Sequence, residues 1–142
     1  MKKPLISIIG STATGKTKLA LFLAEKFSKD FAFIDIISAD SRQVYKGMEI
    51  GTGVDVPPEF QRLNSESFFE KGNVRLHGVS FLWPNEEWSV MHFQRFARDV
   101  MENSWAQNGL PILVGELVCT IGIFLTTTHS WAFNQMKNFA KK

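Results

Sequence analysis

The chain is poor in the residues that mark secreted or membrane proteins. Its one cysteine, Cys119, cannot close an internal disulfide and reads as a small core residue in an apolar run. No basic segment followed by an apolar stretch and a cleavage site opens the sequence. No apolar run reaches the roughly 18 residues that a bilayer-crossing helix needs. A reducing, cytoplasmic location without membrane contact is therefore expected. Charge imbalance is small as well: 16 basic against 14 acidic residues leave +2 at pH 7. That argues neither for nor against a nucleic-acid partner, whose usual mark is a concentrated basic patch. His77, His92 and His129 stand far apart with no cysteine at metal-ligand spacing, so all three read as structural and zinc is not expected. Of the 13 Phe and 4 Trp, those in 22–33 and 93–105 fall at core spacing, so aromatic content decides nothing about base stacking. With 142 residues, 44% of them hydrophobic, the chain can bury one ordinary core as a monomer.

What the sequence does hold is concentrated near its start. Gly10-Ser11-Thr12-Ala13-Thr14-Gly15-Lys16-Thr17 follows the apolar run Leu5 to Ile9 and precedes the helix-like stretch Lys18 to Phe27. A glycine, four free positions, then Gly-Lys and a hydroxyl residue make a phosphate-binding loop. Small residues let successive backbone N–H groups close around phosphate oxygens, the lysine reaches the outer phosphates, and the hydroxyl is placed to ligate Mg²⁺. A helix beginning at the loop adds the positive end of its dipole, so the site suits a diphosphate or polyphosphate.

Hydrophobic patterning gives the setting. Leu5 to Ile9 and Phe31 to Ser38 read as buried parallel strands, and Leu19, Leu23 and Phe27 share one helical face between them. Gly47, Gly51, Gly53, Pro57, Pro58 and Gly72 argue for loops with little regular structure over 46–73, the likeliest mobile region by composition. Val74 to Leu82 holds a short strand. Ser89 caps a helix running to about Gln107, Asn108-Gly109 stops it, and Leu110 to Gly115 returns as another strand. In open α/β sheets ligands lie beyond the carboxyl ends of the strands, which places Asp40 in the same crevice as the loop. Its carboxylate can hold Mg²⁺ through water or serve as a general base, or simply cap its own turn. Ser41, Arg42, Gln43 and Tyr45 beside it suit a substrate surface and a solvated loop about equally.

Three segments together carry a resemblance: the loop from Gly10 to Thr17, the block Ile37-Ser38-Ala39-Asp40-Ser41-Arg42-Gln43-Val44-Tyr45-Lys46-Gly47-Met48-Glu49-Ile50-Gly51-Thr52, and Pro111-Ile112-Leu113-Val114-Gly115. They resemble the amino-terminal part of the tRNA dimethylallyltransferase (tRNA isopentenyltransferase) family. Asn85 to Val90 and Phe93 to Ala97 resemble that family's lead into its next helix. The resemblance implies an α/β fold of the P-loop NTPase type, a parallel sheet flanked by helices and incomplete at the carboxyl end. It implies transfer of a dimethylallyl group from dimethylallyl diphosphate to the exocyclic amine of the adenosine 3′ of a tRNA anticodon. By the same resemblance Gly10 to Thr17 bind the diphosphate rather than ATP, with Lys16 and an Mg²⁺ at Thr17 neutralising the leaving charge. Asp40 takes the proton from the amine, and Asp40, Ser41, Arg42 and Gln43 touch tRNA.

The chain departs from that family after residue 115, which divides it into a P-loop α/β portion, 1–115, and a divergent tail, 116–142. The family continues Gly-Gly-Thr-Gly-Leu-Tyr where this chain has Gly115-Glu116-Leu117-Val118-Cys119-Thr120. Codons for the latter, read one base out of phase, permit the former, so a frameshifted tail is expected, against the alternative of a short relative with its own ending. His77-Gly78-Val79-Ser80 also lacks the aspartate usual after the corresponding histidine. The expected consequence is weak diphosphate or nucleotide binding with little or no transferase turnover by this chain alone. The rival readings are a small P-loop kinase using ATP and a non-catalytic phosphate-binding remnant.

Overall fold

A computed structural model describes residues 3–10, 15–40, 43–47, 56–63 and 67–115. Among these the chain forms five strands and two helices in the order β1 (Ile6–Ile9), α1 (Lys16–Phe27), β2 (Ile34–Ser38), β3 (Phe68–Lys71), β4 (Val74–His77), α2 (Val90–Ala106) and β5 (Leu110–Gly115). The strands make one sheet ordered β1-β5-β2-β4-β3. β1, β5, β2 and β4 run parallel, and only β3 is antiparallel, paired with β4.

Continuous apolar sequence explains the middle of that sheet. Every residue of β2 and β5 is buried, as central strands covered on both faces require. Alternation then sorts their side chains. Ile34, Ile36, Leu76, Ile112 and Val114 meet Ala20 and Ala24 of α1 on one face. Ile37, Ala39 and Leu113 meet Phe93, Ala97 and Met101 of α2 on the other. Each large apolar side chain so buried contributes roughly 1.5–3 kcal/mol. Among the described residues β1 forms one edge of the sheet and β3 the other. The side chains of β1 are only partly covered, and Ile9 at its end is exposed.

The helices begin and end where local chemistry directs. Ser89 accepts the backbone N–H of His92, and the His92 ring accepts that of Ser89, closing a reciprocal cap at the start of α2. At its end Asn108 adopts a left-handed conformation, φ 57°, and the Gly109 amide donates to the Ser104 carbonyl at 2.7 Å, which stops the helix as the Asn-Gly pair predicts.

The sequence reading missed one element. β3 lies within 46–73, where loops were expected, and it pairs with β4 as a two-residue hairpin, Lys71 opposite Val74. Gly72 at φ 60° supplies the positive φ that a two-residue hairpin turn needs. Glycine read as a loop marker was here the turn between two short strands. The expected strands Leu5 to Ile9 and Phe31 to Ser38 are shorter in the structure, the short strand expected within Val74 to Leu82 is β4, and α1 starts two residues earlier than the apolar spacing suggests. The tail 116–142, with Cys119 and His129, lies outside the described residues.

Candidate active site

Four chain segments converge at the carboxyl ends of the parallel strands. β1 pairs with β5 so that Ile9 faces Gly115, and β2 pairs with β5 so that Ser38 faces Val114. The Ala39 amide extends the second ladder with a 2.7 Å bond to the Val114 carbonyl. Gly10, where the phosphate loop begins, and Asp40, next after Ala39, are thereby brought to the two sides of the end of β5. This topology sets both at the same end of the sheet, as the expected shared crevice would require.

Of the loop itself, Gly10, Gly15, Lys16 and Thr17 are described, and Ser11, Thr12, Ala13 and Thr14 lie outside the described residues. Gly15 sits at φ 81°, a left-handed conformation that glycine adopts without strain, and α1 starts directly after it. Among the described residues no side chain caps this helix, and its first turn carries no acidic residue. An anion at this end would meet the positive end of the helix dipole and Lys16 together. Thr17 lies in the same turn and is exposed. No group of three or more His, Cys, Asp or Glu that could hold a metal ion occurs among the described residues. One hydroxyl beside a phosphate site nonetheless fits Mg²⁺, which keeps several waters and takes few protein ligands.

Asp40 is buried, 6% exposed, and its backbone carbonyl accepts the Gln43 amide at 3.1 Å to close a tight turn. Ser41 and Arg42, within that turn, lie outside the described residues. Gln43 is committed inward in part, since the Ser38 hydroxyl donates to its side-chain oxygen at 2.7 Å. The segment after the turn is laced to the chain leaving β4. Ser80 donates to the Gln43 carbonyl, Phe81 and Leu82 donate to Val44, and the Lys46 amide donates to Leu82, at 2.7–2.9 Å. Gly78, at φ 83°, lets that chain pass Ser38 so closely that a Cβ would lie 2.7 Å from the Ser38 carbonyl oxygen. Asp40 is held by this frame from both sides.

A second polar constellation escaped the sequence reading. Asp35, 1% exposed in β2, receives two hydrogen bonds from Arg75, at 2.7 and 2.9 Å, and one of 2.7 Å from His77 Nε2. Burial pushes the Asp35 carboxyl up, but the hydrogen bonds from His77 and Arg75 outweigh it and hold the group below the usual carboxylate range. An ionised carboxylate only accepts, so His77 Nε2 carries the proton it donates. Arg75 also lies over the Phe33 ring at 4.0 Å. This group ties β4 to β2 in the body of the sheet, in keeping with the structural role expected for His77. The signal was present as a charged residue inside an apolar strand and two basic residues two apart on another.

A family model described as IPP transferase matches residues 43–116. The chain belongs to the IPP transferase family. Two of its relatives are a tRNA dimethylallyltransferase of Finegoldia magna, 34% identical over 97% of this chain and 38% of that one, and tRNA dimethylallyltransferase 2 of Trichlorobacter lovleyi, 41% identical over 78% and 31%. Among solved structures it resembles the tRNA isopentenylpyrophosphate transferase of Staphylococcus epidermidis, with a TM-score of 0.69, 32% identity and coverage of 87% of this chain and 35% of that one. A eukaryotic dimethylallyltransferase described as acting on tRNA gives 0.68 at 27% identity, over 84% and 26%. The chain thus spans less than half the length of the IPP transferases it matches. The model match begins at Gln43, so the phosphate loop and Asp40 precede it.

Proposed function

We propose that this chain carries the donor-binding and proton-accepting part of a tRNA dimethylallyltransferase. The reaction is transfer of a dimethylallyl group from its diphosphate to the exocyclic amine of the adenosine 3′ of the anticodon. The observation that carries the reading is the juxtaposition across β5. A lysine-bearing helix start after a left-handed glycine lies at one side, and a buried aspartate lies at the other.

The chemistry divides along the same line. The amine nitrogen forms a bond to the allylic carbon while the bond from that carbon to the diphosphate oxygen breaks. The leaving diphosphate takes the electron pair, and Lys16 with the first-turn amides of α1 stabilises its growing charge. The amine sheds one proton, for which the Asp40 carboxylate is the acceptor. An aromatic amine is a weak nucleophile, so a base within hydrogen-bond reach raises the rate. Mg²⁺ held by Thr17 and the diphosphate would supply further positive charge. Reaching the adenine requires its extrusion from the stacked anticodon loop, and Ser41, Arg42 and Gln43 are the residues proposed to meet the tRNA there.

The test supplies the length that this chain lacks relative to its family. Residues 3–115 replace the corresponding segment of the Staphylococcus epidermidis enzyme, and transfer to tRNA is measured by nucleoside chromatography. The chimera is expected to prenylate tRNA, and Asp40→Asn within it to cut the rate about a hundredfold or more while diphosphate binding persists. A folded chimera whose rate ignores Asp40→Asn would overturn the role given to Asp40.

A further inference from the structure

Trp83 leaves a large aromatic ring in solvent, 59% exposed, on a backbone that is pinned from both directions. Its amide donates to the Glu86 carboxylate at 2.6 Å, and its carbonyl accepts the Glu86 amide at 3.0 Å. The residue before it, Leu82, exchanges backbone bonds with Val44 and Lys46 and forms a parallel bridge with Tyr45. The ring is therefore exposed on a backbone that is fixed in place. Lys46 places its ammonium 4.5 Å from the ring centroid, and Lys46 stands on the short segment that begins at the Asp40 turn.

We propose that Trp83 and Lys46 form a stacking platform for an unpaired nucleobase of the RNA whose adenosine is modified, an inference that rests on the transferase reading above. Surfaces that hold single-stranded RNA combine an aromatic face with a cation. Each stacked base is worth roughly 1–3 kcal/mol, and the cation meets the phosphate. Trp83 and Lys46 supply that pair on two segments tied together by backbone hydrogen bonds, with more than half of the indole residue open to solvent. The acidic neighbours Glu86 and Glu87 would oppose a phosphate, but the Glu86 carboxylate is turned onto the Trp83 amide. Continuity with the Asp40 turn favours a nucleotide close to the reacting adenosine over a peptide.

The experiment follows the Trp83 indole N–H resonance of the ¹⁵N-labelled chain, assigned by its absence in Trp83→Phe. The probes are an RNA hairpin with an adenosine-rich unpaired loop and a fully paired duplex of like length. The expected result is a saturable shift of that resonance with the hairpin and not the duplex. Trp83→Ala should lower hairpin affinity about fivefold to a hundredfold, and Lys46→Gln should reduce the salt slope by about one. Because the ring is exposed, both variants should keep the spectrum of the folded chain. If the hairpin shifts other resonances while Trp83 stays still and Trp83→Ala binds equally well, the platform is wrong and the tRNA reading stands. If no resonance responds to RNA, both fail. Equal response to hairpin and duplex also overturns the platform, leaving only general phosphate attraction.

Discussion

Gly115 lies against Ala39 so closely that a Cβ at residue 115 would come within 2.6 Å of the Ala39 Cβ and 3.2 Å of its Cα. The end of β5 and the chain leading to Asp40 therefore touch backbone to side chain, with no room for a methyl group. Gly115→Ala should push the two strand ends apart and cost about 1–3 kcal/mol, the usual range for overpacking a filled interior. Urea denaturation of the two proteins reads this directly, and an unchanged midpoint would show that the strand ends part freely.

Lys16 is the charged group at the helix start proposed to hold the diphosphate, and the residues that anchor α1 to the sheet are Ala20 and Ala24. Lys16→Ala should accordingly leave the thermal midpoint nearly unchanged. It should weaken dimethylallyl diphosphate binding by roughly ten- to a hundredfold, the worth of a charge-assisted hydrogen bond. Calorimetric titration of wild type and variant is the check, and equal affinities would remove Lys16 from the site.

Asp35 makes stability depend on acid. Its carboxyl titrates below the usual range in the folded chain because of His77 and Arg75, whereas an unfolded aspartate titrates near about 3.9. Between those two values the unfolded chain binds more protons, so stability rises with pH there. The contribution is complete above the unfolded value and is lost as pH falls through the folded one. Asp35→Asn should flatten that part of the stability curve. It should also destabilise the chain at neutral pH by about 3–5 kcal/mol, because Arg75 and His77 would keep their burial without their anion. Chemical denaturation at a series of acid pH values measures both effects, and parallel curves for the two proteins would contradict the assignment.

The start of α2 uses histidine where a capping box usually has glutamate or glutamine. His92→Glu keeps an acceptor for the Ser89 amide and adds a negative charge at the positive helix end, and should stabilise by about 0.3–1 kcal/mol at low salt. Ser89→Ala should do the reverse, by about 1 kcal/mol. Thermal melts of the two variants are expected to move in opposite directions, and movement in the same direction would show that the cap contributes nothing specific.

The parts of this fold that could be read in advance are those where one local signal was enough. β5 needed only an unbroken apolar run, and α2 a serine before an apolar helical face and Asn-Gly after it. β3 was illegible because Phe68–Lys71 is too short to show a period, and its strand character depends on pairing with β4 across Gly72. The Asp35, Arg75 and His77 group was hidden for a related reason. Its members lie some 40 residues apart, and only the parallel register of β2 on β4 sets Asp35 beside Arg75. The position of Asp40 just past the end of β2 could be read from the apolar run before it. The frame that holds it, through Gly78 and the ladder to residues 80–82, comes from a parallel contact that sequence alone does not display.

The central claim is that the loop at Gly10 to Thr17 is a site for the diphosphate of an allylic donor. The most direct measurement is equilibrium competition between dimethylallyl diphosphate and ATP for the purified chain in the presence of Mg²⁺. The account predicts saturable binding of dimethylallyl diphosphate that ATP displaces poorly and that Lys16→Ala weakens by roughly ten- to a hundredfold. Tight ATP binding that excludes dimethylallyl diphosphate would contradict it in favour of a kinase, and binding of neither ligand would leave the loop without the role assigned to it.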